Sequence, residues 1–344
     1  MGNYIVKRLI QSVPTFFGIT IITFMLILSA PGDPIALITF NPVSSNNPEL
    51  TEALRRRLGL DQPPLTQYLY WLVGNDWLMI DTNGDGVGDE PGERLGLLRG
   101  DLGDSIKQNR PVLELIGERI LATTLLTFSA LLVGYGLGIA LGVLAAVYHK
   151  TWIDHVVRVL SVLGNSIPAF WLGLVLIIIF SVQLDLLPMG GMRDIASRDT
   201  GFNLWETLRF MILPVTVLSF GTIAYVSRFM RTELLEVLEQ DYIRTAQSKG
   251  MRDRRVWWLH AIRNALIPIA TFIGPALGSL LAGAVIIEQV FSWPGLGRLV
   301  VNAVFQRDYP LVMGSVVIAS ILFILGVLIS DVLYVLLDPR IRLR

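Results

Sequence analysis

The sequence contains no cysteine, which excludes disulfides and thiolate metal sites and leaves the redox compartment unread. Charge is also scarce. Asp, Glu, Lys and Arg make up 16% of the 344 residues, against about 25% in ordinary soluble domains. The 28 basic and 28 acidic residues cancel, so net charge gives no argument for nucleic acid or for an acidic partner. His149, His155 and His260 are the only histidines, too scattered to read as a metal site. The lysines are Lys7, Lys107, Lys150 and Lys249. None completes the GxxxxGK[ST] phosphate loop, because Lys150 precedes a threonine but follows His149 where glycine is required. No GxSxG or HExxH occurs. The chain alone is therefore expected to be no enzyme and to carry no catalytic residue.

What the chain does have is apolar length. It is 53% hydrophobic, with a mean hydropathy of +0.58. That leaves too little polar surface to cover a soluble globule, so the class is an integral membrane protein. A spanning helix needs about 20 mostly apolar residues. Six stretches qualify: Leu9–Ala30, Ile120–Tyr148, Val156–Val182, Ile212–Phe229, Ala265–Ile287 and Leu311–Leu337. The expected fold is all-α, with six transmembrane helices. Leu9–Ala30 exceeds the roughly 7–15 residues of a signal-peptide core, and Pro31 sits where a cleavage site would fall. It reads as a retained first helix.

Pro14, Pro168, Pro214, Pro268 and Pro275 lie inside these stretches, where neighbours or water can satisfy the freed carbonyls. Gly134, Gly136, Gly138 and Gly142 give the second span a small face for close helix packing. Asp185, Glu288 and Asp331, near span ends, read as interfacial residues with access to water. They are too few to suggest a proton- or sodium-driven path, although a secondary transporter or channel stays open as an alternative. A membrane-bound sensor is a further alternative.

Orientation follows from Lys and Arg in the short loops. One side collects 15 of them, including Lys7, Arg8, Lys150, Arg158, Arg231 and Arg340; the other collects 5. Both termini and the Asp241–Pro268 loop are therefore expected to be cytoplasmic. Residues 31–119 then form an external segment, which opens on Pro31-Gly-Asp-Pro34 and cannot continue the first helix. Within it Pro48–Leu58 reads as a short helix, and Gln67–Val73 as an aromatic amphipathic one. The stretch from Asp81 to Asp89 has oxygen ligands at alternate positions and a turn glycine, Gly86. A calcium loop would use Asp81, Asn83, Asp85 and Asp89, with the Val87 carbonyl. The match to a full EF-hand fails at its twelfth position, which is Gly92. The other reading is an Asp- and Gly-rich turn without metal.

The longest polar run between spans on the basic side is Asp241–Pro268, within the wider cytoplasmic segment 230–268. Tyr242–Lys249 reads as a helix stopped by Gly250. Asp253 can cap a second helix through Arg254, Val256, Trp257 and Ala261. A short helix set at an angle by a glycine turn can fit a groove on a partner. A solvated basic loop that merely obeys the orientation rule is the competing interpretation.

The run DYIRTAQSKG, with HAIRNALIP after it, resembles the EAA loop of ABC-transporter permeases, in the dipeptide/oligopeptide/nickel (DppB/OppB-like) family. Ala246 and Gly250 match the generic pattern, while Arg244 and Thr245 replace its Glu and first Ala. Other segments agree: PGDP at 31–34, GDLGDSI at 100–106, LLPMGG at 186–191, FSWPGLGRL at 291–299 and RDYP at 307–310. The resemblance implies a type I importer permease in a prokaryotic cytoplasmic membrane. Its implied partners are a second homologous permease, two cytoplasmic subunits that bind ATP and Mg, and an extracytoplasmic substrate-binding protein. Di- or oligopeptides would be the solute, with nickel or another small solute as the alternative. The implied ATPase-coupling residues are Asp241, Tyr242, Ala246, Gly250, Asp253, Arg254, Arg255 and Pro268.

Overall fold

The computed structural model describes residues 2–29, 48–57, 59–82, 84–194 and 203–337. The PGDP motif and Asn83 lie outside them. In chain order the helices are α1 (Gly2–Ser29), α2 (Pro48–Arg57), α3 (Pro64–Val73), α4 (Val112–Val147), α5 (Trp152–Ser166), α6 (Ala169–Leu176) and α7 (Leu204–Leu238). They continue with α8 (Asp241–Ser248), α9 (Asp253–Val256), α10 (Ile262–Val290), α11 (Leu296–Gln306) and α12 (Tyr309–Leu337). A two-stranded antiparallel hairpin, β1 (Met79–Ile80) with β2 (Glu90–Pro91), pairs Met79 with Pro91 and Ile80 with Glu90.

Among the described residues, four helices are long and apolar enough to cross a membrane. They are α1, α4, α7 and α12. The stretch expected as one span over Val156–Val182 is instead broken, with α5 and α6 bent by 104°. Pro168 is the cause. Its ring pushes the preceding residue out of the helical region, and Ile167 is extended, at φ −85 and ψ 123. After α6 the chain continues as a π-helix, Ile177–Gln183. Pro14 and Pro214, by contrast, stay inside unbroken helices. Ala265–Ile287 falls within α10.

The chain divides into two compact units. The first is built on Ile120–Arg298, with Met1–Val6 and Leu322–Arg344. Its organising element is α7. Glycines of α4 lie directly against it: a Cβ on Gly134 would fall 2.8 Å from Thr222, one on Gly138 2.7 Å from Val226, and one on Gly142 2.6 Å from Met230. These positions are four residues apart and share one helical face, so the small face expected from sequence packs as expected. Gly136 points elsewhere and meets nothing within 4 Å. On α5, Gly164 approaches Ala224 in the same way.

The second unit combines Lys7–Arg119 with Leu299–Ile321. Pro64 opens α3 at a position where its missing N–H is no loss. Tyr68, Trp71 and Leu72 of α3 are buried. The Tyr68 and Thr20 hydroxyls hydrogen bond at 3.0 Å, and Phe24 of α1 stacks edge-on against Tyr68. An Arg99–Asp76 ion pair closes the segment that follows.

Candidate functional site

The polar run between α7 and α10 folds as a helix, a turn and a second helix. Gln240 is extended, and its carbonyl accepts from the Ile243 amide at 3.0 Å to start α8. Spacing of three puts Ile243 and Ala246 on one face, and both are buried. They pack with Met230 and Leu234 of α7 and with Val256, Ala261 and Ala265. Ala246 therefore anchors the helix from inside and is not part of its outer surface. Asp241, Tyr242, Arg244 and Thr245 are exposed on the other side.

Gly250 stops α8 with φ +78. Its amide donates to Gln247 O at 2.9 Å, and the Met251 amide donates to Ala246 O at 3.4 Å. This pair of bonds is a Schellman motif. The next helix begins at Asp253 itself, and the Arg252 carbonyl accepts from Val256 at 3.2 Å. Arg252 thus holds the cap position expected for Asp253. Arg254 and Arg255 are exposed, and so are Trp258 and Leu259 in the π-turn Trp257–Ala261. Pro268 lies inside α10. The result is a pedestal with a buried apolar base and a charged, aromatic upper face.

An ion pair that sequence reading missed ties α5 to α7. Asp154, in the first turn of α5, is fully buried. Arg231 of α7 grips it with two hydrogen bonds, Nε to Oδ1 at 2.6 Å and Nη2 to Oδ2 at 2.9 Å. The Lys150 amide also donates to Asp154 at 3.1 Å, and Arg158 lies 3.4 Å away. In the sequence Arg231 and Arg158 stand only as orientation charges. The available signal was an acid one turn from a basic residue at a helix start.

The remaining motifs meet in pairs. LLPMGG joins FSWPGLGRL where Gly191 donates to Phe291 O at 2.7 Å. GDLGDSI joins RDYP through buried Asp308, which accepts from Ser105 Oγ and from the Ile106 amide at 3.2 Å. Glu288 is not the water-accessible interfacial residue expected. It is fully buried, accepts from Thr123 Oγ1 at 2.6 Å and from the Arg298 amide at 2.9 Å, and a Cβ on Gly295 or Gly297 would strike it. Its role here is to hold the Pro-Gly-Leu-Gly turn. Asp185, in contrast, is exposed, and the Asp331 side chain lies outside the described residues.

The candidate calcium loop satisfies its own carboxylates. Asp81 accepts from the Gly84 and Gly86 amides, Asp85 from Val87, and Asp89 from both the amide and the hydroxyl of Thr82. Among the described residues no group of three or more acidic or histidine side chains is placed to hold a metal.

Comparison with known proteins agrees with this architecture. The fold matches a chain of the solved methionine transporter MetNI in inward-facing form, with a TM-score of 0.53 at 18% identity over 66% of this chain and 97% of that one. This is the fold of an all-α, multi-pass membrane permease. The family described as binding-protein-dependent transport system inner membrane component matches residues 138–343, and its N-terminal counterpart matches residues 1–127. The chain is 38% identical to the oligopeptide transport system permease protein AppB of Bacillus subtilis, over 99% of this chain and all of that one. It is 39% identical to the dipeptide transport system permease protein DppB of Escherichia coli, over 99% of each. The chain belongs to the family of binding-protein-dependent transport system inner membrane components, as a DppB/OppB-like ABC-transporter permease. It is a transport subunit, not an enzyme, and its family implies ATP-binding subunits and a substrate-binding protein as partners.

Proposed function

We propose that this chain moves di- or oligopeptides across a prokaryotic cytoplasmic membrane, using ATP hydrolysed by separate subunits. The observation that carries the reading is end-to-end similarity to permeases named for oligopeptide and dipeptide transport. In this reading the chain has six spans, with α10 and the bent α5–α6 pair joining the four long apolar helices. Both termini and segment 230–268 face the cytoplasm, and residues 31–119 face outward toward the binding protein. A second, similar permease completes the pathway, and two ATPases drive it.

The pedestal between α7 and α10 is the dock for one ATPase. Asp241, Tyr242, Arg254 and Arg255 present its surface, and Gly250 sets the angle of α8. Asp253 and Pro268 bound its second half, while buried Ala246 fixes the helix to the membrane core. Support comes from the buried Ile243–Ala246 face, which would transmit a push on α8 directly into α7. The test is uptake by proteoliposomes holding the complete transporter, with labelled dipeptide outside and ATP inside. ATP-dependent accumulation of dipeptide is expected. Accumulation that survives removal of ATP would point to a secondary transporter, and accumulation of nickel in place of peptide would replace the solute.

A further inference from the structure

The second unit encloses a cavity of about 470 Å³, within the usual range of small-molecule sites. One wall is apolar, formed by Phe24, Ile27 and Leu28 of α1 with Met313 of α12. The lining also carries charge. Arg57 there is already paired with Glu90 and Glu93, and Asp101 already accepts from the Leu95 and Gly103 amides. Two lining charges remain. Among the described residues, neither the Arg94 guanidinium nor the Asp104 carboxylate makes a hydrogen bond or ion pair. Arg94 is partly buried, and burial pushes its guanidinium below its usual value, opposed by Asp101. Asp101 offsets part of that cost, and the guanidinium keeps its hydrogen-bond donors free for an anion, while Asp104 is exposed and open to a cation.

Depth identifies the ligand. An α-helix rises about 1.5 Å per residue, so Leu28 stands about 30 Å from Arg8 along α1, the thickness of the hydrocarbon core. Phe24 then lies about 6 Å inside that boundary. The α1 residues of the lining are thus at acyl-chain level, just inside the boundary with the headgroups. Only 6% of the apolar window of α1 is buried within the chain. Leu28, which lines the cavity, is itself exposed, giving chains a route out. Neighbouring α3 carries no charged residue and exposes Leu65, Leu69 and Val73.

We propose that this cavity holds the head of one zwitterionic phospholipid, its phosphate on Arg94 and its ammonium on Asp104, with the acyl chains leaving along α1. The proposal does not depend on which solute is carried. A dipeptide has the same two charges but no acyl chains to extend along α1.

Native mass spectrometry of the full-length protein in detergent tests this with three probes: phosphatidylethanolamine, phosphatidylglycerol and dialanine. One phosphatidylethanolamine should be retained in preference to the other two. Arg94→Gln should weaken its retention by about tenfold, the loss of one charge-assisted contact, and Arg94→Lys should restore part of it. Asp104→Asn should erase the preference over phosphatidylglycerol. Met313→Trp should block retention from the apolar side without touching either charge. Equal retention by wild type, Arg94→Gln and Met313→Trp would overturn the proposal. So would dialanine binding that Arg94→Gln abolishes while lipid retention is unchanged.

Discussion

A methyl group on Gly190 would lie 2.3 Å from the carbonyl oxygen of Phe291. The obstacle is backbone, and the Gly191 amide holds it in place from the next residue. The two segments therefore touch main chain to main chain, and Gly190→Ala must part them. Overpacking of this kind costs about 1–3 kcal/mol. Gly136→Ala is the internal control, since nothing lies within 4 Å of that position and alanine is the better helix former by about 1 kcal/mol. Thermal unfolding in detergent should show a lowered Tm for Gly190→Ala and an unchanged or raised one for Gly136→Ala. Equal shifts would mean that the close approach carries no energy.

Asp308 serves three donors at once: Ser105 Oγ and the amides of Ile106 and Lys107. Asp308→Ala strands all three, whereas Ser105→Ala removes one. A buried donor left unsatisfied costs about 1–3 kcal/mol, and a typical hydrogen bond contributes about 1. Asp308→Ala should therefore destabilise the 100–110 loop by about 2–4 kcal/mol, and Ser105→Ala by about 1. Limited proteolysis of the folded protein reads this out as faster cleavage within the loop. Indistinguishable cleavage rates in the two variants would count against Asp308 as its anchor.

Apolar length was enough to read four of the six expected spans, because a membrane helix announces itself through an uninterrupted apolar run. The bend at Pro168 was not legible from the same signal. Pro214 sits in a similarly apolar run and its helix continues, so the local rule acts on both and packing decides between them. Gly250 was legible as a helix stop because the left-handed turn that ends a helix favours glycine. The position of Ala246 was not: an alanine in an exposed-looking loop gives no sign of which face is buried until Ile243, three residues before, is seen to point the same way. Motif pairing was equally hidden. GDLGDSI and RDYP were each visible as words, but their contact spans more than 200 residues, and no local pattern encodes it. Buried Glu288 was misread for the same reason, since its partner Thr123 lies 165 residues away.

Asp154 and Arg231 form the kind of pair in which losing one partner is worse than losing both. Breaking a buried ion pair from one side leaves an uncompensated charge and costs about 3–5 kcal/mol. Replacing both partners by apolar residues of similar volume removes that penalty. Asp154→Leu and Arg231→Met should each lower the unfolding midpoint strongly, while the double variant should fall well short of the sum of the two. His149 and Arg158 remain near the site and would soften the Arg231→Met loss, because Arg158 can still reach the carboxylate at 3.4 Å. Asp154→Leu should consequently be the more severe single change. Strict additivity would show that the pair is a proximity without energetic coupling.

Gly250 separates conformation from space. Its φ is +78 and a Cβ there meets nothing within 4 Å, so the position demands glycine for its backbone and not for room inside the chain. A residue with a side chain costs about 1–2 kcal/mol in the left-handed region, and asparagine tolerates that region better than alanine. Under the docking proposal, strain here tilts α8 away from the ATPase. Gly250→Ala should then raise the ATP hydrolysed per solute moved in proteoliposomes, and Gly250→Asn should raise it less, although asparagine is the larger residue. If the glycine instead makes room for the partner, the order reverses and asparagine becomes the worse substitution. Measuring both variants beside Ala246→Ser, which disturbs the buried face and leaves the turn alone, would distinguish a misplaced helix from a blocked surface.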